Sequence, residues 1–222
     1  MAFKTKAVDW LDTDKSVVIL VSVHSSFHEG LVGELKMEAL CNVIKNHVKG
    51  KVTLLFTEKA HLHAMELKYN SKAIAFEKCL QDARHLLDRF KKYFTDFNIA
   101  FWHSYIGEEP YYKKSCERIY RAYQEDPLFQ EHLKNDAEKT YTEQRAFEFP
   151  DKALFIQKTI EDILEQCACL LVLSHKGYRF QFYPGNCYTA YEHVNTMLLS
   201  KDDRVSFIHV FLTIEQKNIQ AI

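Results

Sequence analysis

The sequence predicts an α/β fold, in which a single domain over residues 1–222 forms a mostly parallel sheet flanked by helices. Short apolar runs suited to buried strands alternate with segments whose apolar residues recur at helical spacing, and this alternation is typical of parallel sheets. The length supports one such core, and 47% hydrophobic with 27% charged residues is the composition of a folded chain.

The first half of the chain alternates strands with helices. Continuous apolar runs predict strands that are buried on both faces, and helices are predicted where apolar residues return every three or four positions. Lys49 and Gly50 mark the end of the first helix. In order, we predict a strand at 16–22, a helix at 31–48, a strand at 52–57, a helix at 71–94 and a strand at 97–102.

The second half begins with helices and ends with strands. Pro110 and Pro127 stand where the first turn of a helix tolerates proline, and Gly177 precedes an alternating run that predicts a strand. In order, we predict helices at 110–124, 126–145 and 152–171, a strand at 178–183, a helix at 189–199 and a strand at 205–212.

Composition excludes several classes of protein. With 29 Lys+Arg against 30 Asp+Glu, the net charge of -1 argues against a uniformly basic nucleic-acid-binding chain. No apolar stretch is long enough to span a bilayer, and the first residues lack the apolar region of a signal peptide. The six cysteines form no C-x-x-C pair. We therefore expect a cytoplasmic protein with free thiols and no membrane partner.

Cofactor motifs are missing from the sequence. Neither G-x-G-x-x-G nor G-x-x-x-x-G-K-[ST] occurs, so no dinucleotide or nucleoside triphosphate site is indicated. Among eleven histidines the closest pairs are His24/His28 and His61/His63, a spacing more typical of a solvated face than of a metal site. We expect no cofactor and no metal.

Ser22 ends the first predicted strand and is the first candidate functional residue. In α/β sheets ligands bind beyond the carboxyl ends of the strands, so a hydroxyl there can face a pocket. His24, two residues later, is a candidate base or pocket residue. Polar residues also commonly end strands in ordinary turns, and the local sequence leaves that alternative open.

Two further candidates lie in the second half. Asp162 and Gln166 share a face of the predicted helix at 152–171, as do Glu161 and Glu165, and carboxylates there could hold an ammonium group. An ordinary solvated helix face is the alternative. Tyr183 ends the alternating strand, where its hydroxyl could enter the same crevice as Ser22.

These features, in this order and at these intervals, resemble the tRNA-dependent cyclodipeptide synthases over about residues 17–212. The likeness rests on the collinearity of four short motifs. They are Val21-Ser22-Val23 with Phe27-His28-Glu29-Gly30, the stretch 119–129, the helix segment from Asp162 to Ala168, and Tyr183-Pro184, which matches the subfamily with a Tyr-Pro signature.

The resemblance implies a Rossmann-like fold, related to the catalytic domains of class I tyrosyl- and tryptophanyl-tRNA synthetases. It also implies that two aminoacyl-tRNAs are joined into a cyclic dipeptide (a diketopiperazine) through an aminoacyl-Ser22 and a dipeptidyl-enzyme intermediate. Tyr183 would relay a proton. The expected protein is a monomeric aminoacyltransferase that needs no cofactor.

Three positions depart from the family pattern. Asp162 stands where the family has Tyr, Gln166 where it has Glu, and His24 where it usually has Gly. Our hypothesis is that Asp162 supplies the ammonium-holding carboxylate with Gln166 as a hydrogen-bonding partner, and that Glu165 is the second candidate for that charge. The alternative function is a catalytically altered or inactive synthetase-like tRNA-binding protein.

The resemblance also points to a tRNA-binding helix after the second strand. Residues 68–92 carry seven lysines and arginines against three acidic residues, although a charged helix surface is common without any such role. Leu20 and Leu54 resemble pocket-lining positions and favour an apolar first amino acid. The candidate tRNA-binding residues are Lys78, Arg84, Arg89, Lys91 and Lys92.

Overall fold

A five-stranded sheet in which every pairing is parallel forms the centre of the computed structural model. The structure describes residues 2–5, 14–23, 30–142, 149, 151–183, 188–209 and 212–215. In chain order the strands are β1 (Ala2–Thr5), β2 (Val17–Val21), β3 (Val52–Phe56), β4 (Asn98–Phe101), β5 (Phe180–Tyr183), β6 (Ser206–His209) and β7 (Leu212–Glu215).

Helices connect and cover these strands. In chain order they are α1 (Gly30–His47), α2 (Leu62–Tyr69), α3 (Lys72–Phe90), α4 (Trp102–Tyr105), α5 (Pro110–Glu125), α6 (Pro127–Thr140), α7 (Lys152–His175) and α8 (Thr189–Met197). None of the helices in the described part of the chain is long and apolar enough to cross a membrane.

The strand order β4-β3-β2-β5-β6 confirms the predicted α/β fold and fixes where its crevice lies. The chain builds outward from β2 to β4 and then returns to add β5 on the other side of β2. A parallel sheet of this kind binds ligands at the carboxyl ends of the two strands where the order reverses, here β2 and β5. The pairing of β1 with β7 is antiparallel, and the sequence patterns did not predict either strand.

The sheet packs helices on both faces, as its two-sided apolar strands require. Val17, Ile19 and Val21 of β2 lie in one cluster with buried residues of α1 and α3. Val18 lies in another cluster with Val172 and its neighbours in α7. Side chains alternate between the two faces along an extended strand. Continued extension beyond Leu20 therefore places Ser22, two positions later, on the α7 side of the sheet.

The predicted helix at 71–94 differs from the observed structure. Helix α3 ends at Phe90 and a short 3-10 turn covers Lys91–Tyr93. A separate helix, α2, precedes it and was not predicted. Asn70, with φ of 50°, ends α2 in the left-handed conformation, and the Ser71 hydroxyl accepts the N–H of Ile74 to begin α3.

Candidate active site

The reversal of strand order brings Ser22 and Tyr183 to one edge of the sheet. Ser22 directly follows β2 and is 4% exposed, and Tyr183 is the last residue of the neighbouring strand β5. The register pairs Ile19 with Phe182, so the two chain positions lie at the ends of adjacent parallel strands. Two other predicted positions, His24 and Pro184, lie outside the described residues.

A series of hydrogen bonds connects the strand of Ser22 to helix α7. Thr57, just after β3, donates its N–H to the carbonyl of Val21 at 3.0 Å and its hydroxyl to the same oxygen at 3.3 Å. Ala60 donates its N–H to the carbonyl of Thr57 at 3.1 Å, and Gln166 Nε2 donates to the carbonyl of Ala60 at 2.7 Å. The middle of α7 is therefore fixed at the carboxyl edge of the sheet.

Gln166 is held at both ends of its amide. Its Nε2 donates to Ala60, and its Oε1 accepts a short hydrogen bond from the hydroxyl of Tyr191 in α8. Tyr191 is itself buried and its ring stacks on Phe207 at 6.2 Å between centroids. Gln166 thus joins α7 to the turn after β3 and to α8, which makes it a neutral and rigid part of the crevice wall.

Asp162 is buried, with 1% of its surface exposed, and both of its carboxylate oxygens are used. Oδ1 accepts the backbone N–H of His63 at 2.9 Å and Oδ2 accepts that of Ala64 at 3.0 Å. These N–H groups belong to the first turn of α2, where His61 provides no side-chain cap. Burial raises the pKa of Asp162 well above its usual value, against the lowering effect of the two N–H bonds. Asp162 caps α2 from another helix.

Glu165 has a different environment one turn further along α7. Its side chain is 22% exposed, and Oε1 lies 2.9 Å from His63 Nε2. Burial raises the pKa of Glu165. The hydrogen bond and charge of His63, together with the charges of Lys72 and Lys59, lower it by more than burial raises it, so the pKa of Glu165 lies below its ordinary value. Glu165 is therefore an ionised, partly exposed carboxylate on the side of α7 that contacts α2.

Phenol and thiol groups of α5 face Glu165. Burial is the main cause that raises the pKa of Tyr112, and the charge of Glu165 adds a smaller increase. The same two causes raise the pKa of Tyr120. They also raise the pKa of Cys116, which a hydrogen bond from Tyr112 partly lowers. These groups stay protonated at neutral pH and line this side with hydrogen-bond donors rather than bases.

The two leucines predicted to line a pocket do not come together. The register aligns Leu20 with Leu55, whereas Leu54 pairs with Ile19. Leu54 is fully buried in the cluster formed with α1 and α3, on the opposite face of the sheet from Leu20. Leu20 is partly buried and packs on the α7 side, which is the side of the crevice.

Sequence reasoning missed several residues of this edge. Glu58 is fully buried after β3, and its carboxylate accepts the backbone N–H groups of Trp102 and His103 and contacts His103 Nδ1 at 2.8 Å. It caps α4 as Asp162 caps α2. The sequence signal for Glu58 is a carboxylate directly after an apolar strand. No pattern in the neighbouring sequence indicates a role for His63 or Tyr191.

The five predicted tRNA-binding residues divide into two groups. Lys78, Arg84 and Lys91 are exposed, and Lys91 lies 3.9 Å from Asp88. Arg89 and Lys92 both contact Glu34 of α1, at 3.6 Å and 3.1 Å.

Spacings of eleven and three residues would place Lys78, Arg89 and Lys92 on one face of an uninterrupted helix, but α3 ends at Phe90 and Lys92 lies in the 3-10 turn that follows. The cations of this region therefore differ in their partners: Arg89 and Lys92 share the carboxylate of Glu34, and Lys91 lies near Asp88.

Comparison with solved structures identifies the fold. A cyclodipeptide synthase from Fluoribacter dumoffii is similar with a TM-score of 0.83 and 16% identity, over 96% of this chain and 98% of that chain. A cyclodipeptide synthase from Candidatus Glomeribacter gigasporarum bound to Phe-tRNAPhe has a TM-score of 0.64 and 15% identity, over 91% and 89%.

A third similar structure is a Mycobacterium tuberculosis protein described as showing that cyclodipeptide synthetases are related to type I tRNA synthetases. Its TM-score is 0.67 at 13% identity, over 96% of this chain and 93% of that chain. No protein-family model and no curated protein matches the sequence. The chain therefore has the fold of cyclodipeptide synthases.

Proposed function

We propose that this protein is a tRNA-dependent cyclodipeptide synthase, an aminoacyltransferase that joins two aminoacyl-tRNAs into a cyclic dipeptide. The observation that carries the proposal is the position of Ser22 at the carboxyl end of β2, where the strand order reverses, with the ionised Glu165 on the helix that closes the same edge. The shared fold over nearly the whole chain supports it.

In the first step Ser22 Oγ attacks the ester carbonyl of the first aminoacyl-tRNA. A bond forms from the carbonyl carbon to Oγ, the bond to the terminal ribose oxygen breaks, and the hydroxyl proton passes to that oxygen. Exchange of one oxygen ester for another is close to isoenergetic, so the serine needs less activation than in peptide hydrolysis. A Ser-His-Asp triad is not required.

In the second step the α-amine of the aminoacyl group on Ser22 attacks the ester carbonyl of the second aminoacyl-tRNA. A C–N bond forms, the C–O bond to the second tRNA breaks, and the amine proton ends on the departing ribose oxygen. The terminal amine of the dipeptidyl ester then attacks the Ser22 ester, which closes the ring and returns a proton to Oγ. Tyr183, at the end of the strand beside Ser22, is the proposed proton relay.

Among the two acidic candidates, Glu165 is the better group to hold the α-ammonium. Both oxygens of Asp162 already accept backbone N–H groups, and its burial disfavours the ionised form. Glu165 is partly exposed and ionised. We therefore propose Glu165 as the ammonium-binding carboxylate, Gln166 as its rigid neighbour, and Asp162 as the residue that holds α2 in position.

The proposed partners are two aminoacyl-tRNAs, which are the substrates. We propose that the protein uses them as a monomer and without a cofactor. A protein of the same fold was solved bound to Phe-tRNAPhe, which supports a tRNA partner. Lys78, Arg84 and Lys91 are exposed and available for phosphates in this chain. Leu20, on the crevice side of β2, is the proposed contact for an apolar first amino acid.

The test is mass spectrometry of the protein after incubation with charged tRNA. We expect a mass gain of one aminoacyl group that Ser22→Ala abolishes and Ser104→Ala, a change at an exposed serine of α4, leaves intact. Binding of tRNA with no adduct at any time would instead establish the alternative, a synthetase-like tRNA-binding protein without transfer activity.

A further inference from the structure

His63 lies between two carboxylates on the first turn of α2. It is 8% exposed, and both of its ring nitrogens face α7. Nε2 is 2.9 Å from Glu165 Oε1 and Nδ1 is 3.2 Å from Glu161 Oε2. Its backbone N–H donates to Asp162 Oδ1 at 2.9 Å, so the main chain of His63 is held in place and its ring has two carboxylate partners.

Hydrogen-bond chemistry determines which form of the ring fits this position. An ionised carboxylate only accepts, and a neutral imidazole has one N–H to donate. The imidazolium carries two N–H groups and a positive charge, so it alone can hydrogen-bond Glu165 and also offer Glu161 an opposite charge at 3.2 Å. Those carboxylates are four residues apart on one helix face, where two like charges destabilise each other unless a cation separates them.

The contact with His63 leaves Glu165 with a defined orientation. In the described part of the chain, His63 contacts Oε1 of Glu165 and no hydrogen bond to Oε2 is seen. A carboxylate fixed through one oxygen presents the other in a definite direction. A free glutamate side chain would instead have to be ordered when the ammonium group binds, at a cost in rotamer entropy.

We propose that His63 is a positioning residue, which in its imidazolium form holds Glu165 so that the second carboxylate oxygen receives the α-ammonium of the aminoacyl group on Ser22. The inference rests on the proposed function and adds to it a residue from outside the helix that carries the carboxylates. It assigns His63 no contact with substrate.

The charges packed around His63 come from four segments. Helix α7 contributes both carboxylates and Lys158, whose Nζ lies 3.2 Å from Glu161 and 3.6 Å from Glu66 of α2. The turn before α2 and helix α3 contribute cations that act on Glu165, and α5 contributes groups that remain neutral. These further groups are Lys59, Lys72, Tyr112, Cys116 and Tyr120.

Loss of His63 has a predictable sign. His63 lowers the pKa of Glu165, whereas burial raises it. Without the ring, burial remains and the carboxylate is protonated at a higher pH than in the wild type. The acid limb of cyclic-dipeptide formation should therefore move to higher pH in His63→Ala.

The experiment compares His63→Ala and His63→Gln with the wild type in two separate measurements, acylation of Ser22 and conversion of the acyl-enzyme to cyclic dipeptide. We expect the second rate to fall about tenfold while acylation changes little, because charge-assisted hydrogen bonds contribute about that factor. Added imidazole should restore His63→Ala but not His63→Gln. His175→Gln, at the exposed far end of α7, is the matched control.

Two results would overturn the proposal. One is equal loss of both rates with no shift of the acid limb and no rescue, which is the behaviour of a merely structural residue. The other is a neutral His63 ring in the 15N NMR spectrum of the resting protein, a measurement that needs no activity. A wild type that forms no acyl-enzyme would contradict the proposed function instead, and the NMR result would still decide the state of His63.

Discussion

The carboxyl edge of the sheet and the basic surface of α3 are both charged regions, but they hold their charges in different ways. At the edge, Asp162 and Glu165 are buried or half-buried and bonded to partners about a hundred residues away in the chain. On α3, Lys78 and Arg84 are exposed, and Lys78 donates a hydrogen bond to Gln81 one turn away at 3.4 Å. One region is built by tertiary contacts and the other by local sequence.

This difference separates what a substitution should do in each region. A buried carboxylate that loses a partner leaves other polar groups unsatisfied, which costs about 1–3 kcal/mol each. An exposed ion pair contributes about 0–1 kcal/mol, and its charge acts mainly on partners in solution. Changes at the edge should therefore alter stability or chemistry strongly, and changes on α3 should alter binding and its salt dependence.

The largest expected effect distinguishes Glu165 from Asp162. Glu165→Gln removes the charge proposed to hold the ammonium group, and we expect cyclic-dipeptide formation to fall by about 10- to 100-fold, the factor for a charge-assisted hydrogen bond. Asp162→Asn should keep the rate per folded molecule within about threefold, because that side chain only caps α2. Single-turnover rates corrected for folded fraction provide the measurement. A larger loss in Asp162→Asn than in Glu165→Gln would restore Asp162 as the ammonium-binding group.

The second prediction concerns stability and its dependence on pH. Asp162→Asn retains one acceptor for two N–H groups, so we expect a loss of about 1–2 kcal/mol in the free energy of unfolding, as for other lost helix caps. The folded pKa of Asp162 is raised above the ordinary value of 3.8, so its contribution is fully present below that pH and declines as pH rises toward the folded value. The difference between wild type and variant should therefore be largest in acid.

Urea titrations at several pH values measure this difference, with Asp151→Asn as the control. Asp151 caps α7 from an exposed position and its carboxylate accepts the N–H of Leu154. The control makes the same carboxylate-to-amide change at an exposed cap and should lower stability, as for other lost helix caps. A difference that grows with pH for Asp162→Asn would contradict the assigned direction of its pKa.

The same contrast explains how far the sequence could predict the molecule. The five strands of the main sheet were predicted because each has a local pattern, which for β5 is an alternating run, and these predictions placed Ser22 and Tyr183 at strand ends. Helix α2 was missed because its cap, Asp162, is 98 residues from the Ala64 N–H that it binds. His63 was assigned to a solvated face for the same reason, since nothing near it in the chain announces Glu165.

Leu54 shows a second property that local patterns do not predict, the register between strands. Both Leu20 and Leu54 lie on buried strands, and only the register decides that they face opposite sides of the sheet. A shift of one residue between parallel strands would have brought them to the same face. Composition and periodicity predicted the strands but not their alignment.

The third prediction tests the basic surface. Lys78→Glu with Arg84→Glu should weaken binding of charged tRNA and lower the slope of log affinity against log salt by about two, one for each lost phosphate contact. Lys113→Glu with Lys114→Glu, at exposed positions of α5, makes the same change in net charge elsewhere. Equal effects of the two pairs would show that total charge, rather than the α3 surface, determines tRNA binding.

The smallest expected effect comes from Glu34, a carboxylate of α1 that contacts two cations at the end of the basic region. It is a partly exposed carboxylate whose pKa is lowered, first by its hydrogen bond with Lys92 and then by the charges of Lys92 and Arg89. Glu34→Gln should change stability little, since exposed ion pairs are weak.

The same substitution removes the carboxylate that Arg89 and Lys92 both contact, so tRNA affinity should rise and the salt slope should steepen. Binding titrations between low and moderate salt measure both quantities. If Glu34→Gln leaves affinity and slope unchanged while Lys78→Glu with Arg84→Glu lowers both, the tRNA footprint covers the exposed face of α3 and stops before the turn at Lys91–Tyr93. If affinity rises, Glu34 restrains the end of that footprint, and the two cations it holds belong to the tRNA-binding surface.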